Sequence, residues 1–81
     1  MTDINKALGE VLVKYRKMEK ISQEELADRA GIHRTYVSQI ERGLKSPTLA
    51  VLFHISKSLN TTVSNLIAEV EQKQNIDELY N

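Results

Sequence analysis

No cysteine occurs in this chain of 81 residues, so no disulfide can staple it. That matters at this size, because so short a chain buries only about 60% of the surface its unfolded form exposes. Metal stapling has little to work with either. The only soft ligands are His33 and His54, 21 positions apart, and no metal is expected. Self-association is then an attractive way to bury more apolar surface. No apolar run approaches the roughly 20 residues of a membrane span. The opening "MTDINKALGE" carries an acid early and lacks a signal-peptide pattern, so a reducing, cytoplasmic setting and no membrane partner are expected. Proline occurs once, at Pro47, and glycine three times. Little therefore breaks a helix. An excess of one charge is also missing, for the formal net charge is zero. Taken alone, that argues against a polyanionic partner.

The distribution of charge reads differently. Residues 1–60 carry ten Lys/Arg against seven Asp/Glu, whereas residues 61–81 carry one against four. Between 33 and 57 stand Arg34, Arg42, Lys45 and Lys57 with a single acid, Glu41. The basic excess lies in the middle of the chain and the acidic excess at its end.

Helix signals recur throughout. Leu8, Leu12 and Tyr15 form an i, i+4, i+7 stripe over about Ile4–Glu19, with Thr2 or Asp3 as its cap. "SQEE" places Ser22 as N-cap and Glu25 three positions on, the capping-box arrangement. Leu26, Ala27 and Ala30 are its inner face, and Gly31 stands where a positive φ ends a helix. A third helix runs from near His33 to before Gly43, with Val37 and Ile40 as a narrow apolar stripe and Tyr36 beside it. After the loop "GLKSP", Thr48 caps a fourth helix with Leu49, Leu52, Ile55, Ser56 and Leu59 on one side and Asn60 at its end. Ser64 is expected to cap a fifth, holding Leu66, Ile67 and Val70. The architecture predicted is all-α with five helices. Residues 1–70 form the domain and 71–81 a polar acidic tail, in which Ile76, Leu79 and Tyr80 have helical spacing.

The second and third of these helices obey several packing rules at once. Ala27 is small where the helices cross, Gly31 turns the chain, Ile32 plugs the corner, and Val37 and Ile40 face inward. This is the helix-turn-helix pattern. The segments "SQEELA", "YVSQIERG" and "SPTL" resemble the Cro/repressor-type (XRE) regulators over about Leu8–Ile67. Within that family, "HRTYVSQIERG" is similar to the controller proteins of restriction-modification systems. The loop "GLKSPTL" is less basic and less asparagine-rich than a typical controller would have. The resemblance implies a lambda-repressor-like DNA-binding domain, acting as a homodimer on double-stranded DNA.

What the third helix carries outward fits that implication. Arg34 and Thr35 stand on its first exposed turn, Ser38 and Gln39 on the next. Arginine can pair with guanine, glutamine with adenine, and a threonine methyl can touch thymine. A solvated helix exterior would also carry polar residues, but inside this motif base contact is the preferred reading. Backbone contacts are expected from Gln23, His33, Tyr36, Arg42, Lys45, Ser46 and Thr48. The resemblance also implies an ion pair between Arg16 and Glu41 that orients the helices without touching DNA. Phe53, Ile67 and Val70 are the candidates for a contact between two copies. No Ser/His/Asp set or glycine-rich phosphate loop points to an enzyme, and no cofactor or small-molecule ligand is expected. The competing reading is an antitoxin that binds a toxin protein and its own operator.

Overall fold

A computed structural model describes residues 3–74. Among them are five helices: α1 (Ile4–Met18), α2 (Gln23–Ala30), α3 (Arg34–Glu41), α4 (Leu49–Ser58) and α5 (Val63–Lys73). No strand occurs among the described residues. α1 packs against α3 and α5, α2 against α3 and α4, and α4 touches α5. The shared core includes Val11, Leu12, Leu26, Val37, Ile40, Ile55, Leu59 and Leu66, each at most 2% exposed. At about 25 cal/mol per Å² of apolar surface, such side chains stabilise the fold by roughly 1.5–3 kcal/mol each.

A polar side chain caps the start of every helix, and in four of the five it is a short one. Asp3 caps α1 by accepting from the Asn5 N–H at 2.9 Å, and Ser22 caps α2 by accepting from Glu25 at 3.0 Å. Thr48 caps α4 through the Val51 N–H. The cap of α5 differs from expectation, since Thr62, not Ser64, accepts from the Asn65 N–H at 3.1 Å. Starting there brings Val63, Leu66, Ile67 and Val70 onto one face, at spacings of three, four and seven. A start at Ser64 would leave Val63 outside the helix.

Four of the helix ends share one geometry. Lys20, Gly31, Gly43 and Asn60 adopt φ of +58°, +71°, +76° and +56°, and the residue after each bonds back to the carbonyl five positions earlier. These are Schellman closures, which satisfy carbonyls left open by the last turn. Gly31 and Asn60 are legible as such in the sequence. Lys20 is not, because apart from glycine only asparagine and aspartate visit this region with any frequency.

Two further expectations change. Leu49 fits the inner stripe of α4 by spacing but is 66% exposed. The buried set of that helix begins at Leu52, so the core ends short of its first turn. The boundary at residue 70 falls inside α5, whose last residues, 71–73, belong to the helix. Thr2, and Ile76, Leu79 and Tyr80 of the tail, lie outside the described residues.

Candidate nucleic-acid interface

The turn between α2 and α3 is closed from both sides. Gly31 accepts the left-handed conformation, and Ile32 N–H reaches back to the Ala27 carbonyl at 3.0 Å. Ala27 is 4% exposed, and a larger side chain there would push α3 away. His33 then caps α3, its Nδ1 accepting from the Thr35 N–H at 3.2 Å. An accepting Nδ1 leaves the ring's proton on Nε2, the outer nitrogen.

α3 buries Val37 and Ile40, rests Tyr36 against the core, and turns Arg34 and Thr35 outward. Arg34 and Thr35 are exposed in its first turn, and Ser38 and Gln39 are half-buried in the next. Arg34 makes no ion pair among the described residues. Tyr36 is half-buried, and its hydroxyl stands 3.5 Å from the Ser46 carbonyl, too long for a strong bond. At the far end Arg42 turns its Nε back on the Ser38 carbonyl at 3.4 Å. Lys45, Ser46 and Thr48 follow, all exposed. The Thr48 oxygen is occupied in capping α4.

The orientation of α3 is set by one carboxylate. Glu41 accepts from Arg16 Nε at 2.7 Å, from Arg16 Nη2 at 3.1 Å and from Gln23 Nε2 at 2.9 Å. Arg16 Nη1 also donates to the Ile21 carbonyl at 2.9 Å. The Glu41 side chain is 4% exposed and that of Arg16 14%. One acid thus ties α1, the start of α2 and the end of α3 together. The sequence marks Gln23 as a contact to the DNA backbone. Its amide is shared with Glu41 here, and an amide nitrogen keeps a second N–H to offer.

Gly9 also sets this orientation, and sequence reasoning did not single it out. A Cβ at Gly9 would lie 2.4 Å from the Glu41 carbonyl oxygen and 2.7 Å from that of Ile40. The end of α3 therefore rests directly on the backbone of α1. The signal available in the sequence was a glycine inside an otherwise regular helical stripe.

A second polar cluster joins α1 to α5, away from α3. Glu69 accepts from Lys14 and from the Tyr15 hydroxyl, and Lys73 Nζ pairs with Glu10 at 3.3 Å. The bonds from Lys14 and Tyr15 hold the Glu69 carboxyl below the usual carboxylate range. The same acid raises the Tyr15 hydroxyl and the Lys14 ammonium.

Of the three candidates for a contact between copies, Phe53 is 57% exposed, Ile67 is half-buried and Val70 is buried in the core. Leu49 lies one helical turn before Phe53 and is exposed with it. Beside them is an open cleft of about 360 Å³, lined by Phe53, His54, Lys57, Thr61 and Val63 among others. Among the described residues no group of three His, Cys, Asp or Glu could hold a metal ion. No helix among them is long and apolar enough to cross a membrane.

The helix-turn-helix family profile matches residues 12–66, well over half of the chain. The chain belongs to the helix-turn-helix family. Control protein C.SmaI of Serratia marcescens is 42% identical to this helix-turn-helix chain, over 80% of it and 77% of that protein. Control protein C.MunI of a Mycoplasma species is 38% identical over 90% of the chain and 100% of its own length. The crystal structure of the restriction-modification controller protein C.AhdI from Aeromonas hydrophila superimposes with a TM-score of 0.75. It is 29% identical and covers 76% of this helix-turn-helix chain and 94% of its own.

Proposed function

We propose that this protein is a sequence-specific, double-stranded-DNA-binding transcriptional regulator of the restriction-modification controller type, acting as a homodimer on a pseudo-palindromic site. The observation that carries the reading is the presentation of α3. It is capped by His33 at one end and fixed by Glu41 and Gly9 at the other, with Arg34 and Thr35 exposed between. A short helix so held is a rigid probe of the width a major groove admits. Arg34, Thr35, Ser38 and Gln39 read base edges. Gln23, His33, Tyr36, Arg42, Lys45, Ser46 and Thr48 face the sugar-phosphate backbone on either side. The kinship with two control proteins supports the regulatory role over an enzymatic one.

One α3 spans only a few base pairs, too few to select a site in a genome. Two copies related by a two-fold axis double the contact and place half-sites about 34 Å apart. Phe53 and Leu49 supply the exposed apolar surface for that contact, with the half-buried Ile67, while Val70, 6% exposed, completes the core instead. Phe53 projects beside the cleft it helps to line, so two copies can exchange knob and hole across the axis. Selection of bound sequences from a random duplex pool tests the reading. A pseudo-palindrome with half-sites one helical turn apart is expected. A pool that remains unenriched would remove sequence recognition from the account.

A further inference from the structure

The α3–α4 loop does not stand alone at the flank of the reading helix. Gly43 sits so close to α1 that a Cβ there would lie 2.9 Å from the Lys6 Cα, 3.1 Å from its N and 3.2 Å from its Cβ. Gly43 is thus a glycine twice over, for its φ of +76° and for the backbone of α1 pressed against it. The contact brings Lys6 beside a loop from which it is separated by 37 residues of sequence. The Lys6 side chain is exposed. Among the described residues Lys6, Arg42 and Lys45 make no ion pair, as is true also of Lys17, Lys20, Arg34 and Lys57; what sets the three apart is their place at the Gly43 contact. The first turn of α1 holds no acid, and the cap carboxylate of Asp3 is engaged with the Asn5 N–H. Lys6, Arg42 and Lys45 each lie at or within two residues of the Gly43–Lys6 contact, and like charges so placed repel one another. A row of phosphates would relieve that repulsion, and the positive end of the α1 dipole adds to the attraction.

We infer that Lys6 is a further phosphate-contacting residue, joined by tertiary packing to Arg42 and Lys45 in one backbone clamp. The inference rests on the DNA-binding reading and extends it to α1, which no motif in the sequence connects with nucleic acid. Gly43 is the positioning residue, because its missing side chain is what lets α1 reach the loop.

The test measures binding of Lys6→Ala, Lys6→Arg, Lys45→Ala and Lys73→Ala to the selected site and to a random duplex, between about 50 and 200 mM salt. Each phosphate contact contributes about 0.9 to the slope of log affinity against log salt. Lys6→Ala should weaken both duplexes equally and lower the slope by about one. Its deficit should shrink by about 3.5-fold across that salt range, which is four raised to the power 0.9. Lys6→Arg should restore the slope. Lys73→Ala removes the same charge from α5 and should leave the slope unchanged. An unchanged slope for Lys6→Ala beside a lowered one for Lys45→Ala would overturn the role of Lys6 and leave the DNA reading intact. Equal slope losses for Lys6→Ala and Lys73→Ala would reduce the effect to net charge and overturn it as well. A wild-type protein that binds neither duplex would overturn both.

Discussion

Replacing Glu41 by alanine should be among the most damaging single changes outside the apolar core. The carboxylate accepts three hydrogen bonds, two from Arg16 and one from Gln23, and its side chain is 4% exposed. Its loss leaves the Arg16 guanidinium, 14% exposed, without a counter-charge. Removing one partner of a buried pair costs about 3–5 kcal/mol. The residual exposure of Arg16 and its surviving bond to the Ile21 carbonyl favour the lower end, about 3 kcal/mol. A domain of this length has a total stability of roughly 4–12 kcal/mol, so a quarter or more of it is at stake. The expected fall in Tm is about 12–24 °C, at about 4–8 °C per kcal/mol. Urea denaturation at pH 7, followed by far-UV circular dichroism, measures the difference directly. Replacing both residues, as Arg16→Met with Glu41→Leu, should recover about a third of the loss, roughly 1 kcal/mol, since no unpaired charge remains. The remainder, about 1 kcal/mol each, comes from the unpartnered Gln23 amide and Ile21 carbonyl. A Glu41→Ala protein within about 1 kcal/mol of wild type would refute the argument that this carboxylate holds the three helices together.

Gly9→Ala should destabilise the fold by about 1–3 kcal/mol although alanine is the better helix former, because the new Cβ meets fixed backbone oxygens; the urea midpoint reads this. Phe53→Ala should weaken self-association about 30-fold in analytical ultracentrifugation, the equivalent of about 2 kcal/mol of lost aromatic burial, and an unchanged dimer constant would move the contact elsewhere. Glu69, whose carboxyl is held below its ordinary value of 4.5, contributes stability that is complete above that value and lost as pH falls through the lowered one. Glu69→Gln should therefore remove part of the acid limb of a stability–pH profile, and an unaltered limb would contradict the assignment.

Much of the fold is legible because it is local. Ser22 with Glu25, Thr48, Gly31 and Asn60 announce their helix ends through bonds that span a handful of residues. The inner faces of α2 and α3 follow from period alone, and Leu26, Ala27, Ala30, Val37 and Ile40 are all buried. Thr62 and Ser64 are equally good caps by type, and only the packing of Val63 decides between them. Leu49 fits its stripe by spacing, but spacing does not say where the neighbouring helices end. Gly9 and Lys6 owe their significance to residues more than 30 positions away, and no local rule reaches that far. Lys20 carries a positive φ that its residue type disfavours, so only the structure reveals it. The family resemblance implies the pairing of Arg16 with Glu41, whereas no sequence pattern joins Gln23 to the same carboxylate and only the fold brings them within 2.9 Å.

The central claim is that α3 reads bases through its exposed first turn. Arg34→Ala tests it most directly, by fluorescence anisotropy on the selected site and on a random duplex at one salt concentration. Loss of a bidentate contact should cost about 1–3 kcal/mol at one base pair, about 5- to 150-fold on the selected site. On the random duplex the variant should lose only the modest affinity that one fewer cation explains. Preference at that base pair should relax, while the rest of the site is still distinguished. Equal weakening on both duplexes, with the preference intact, would contradict the account.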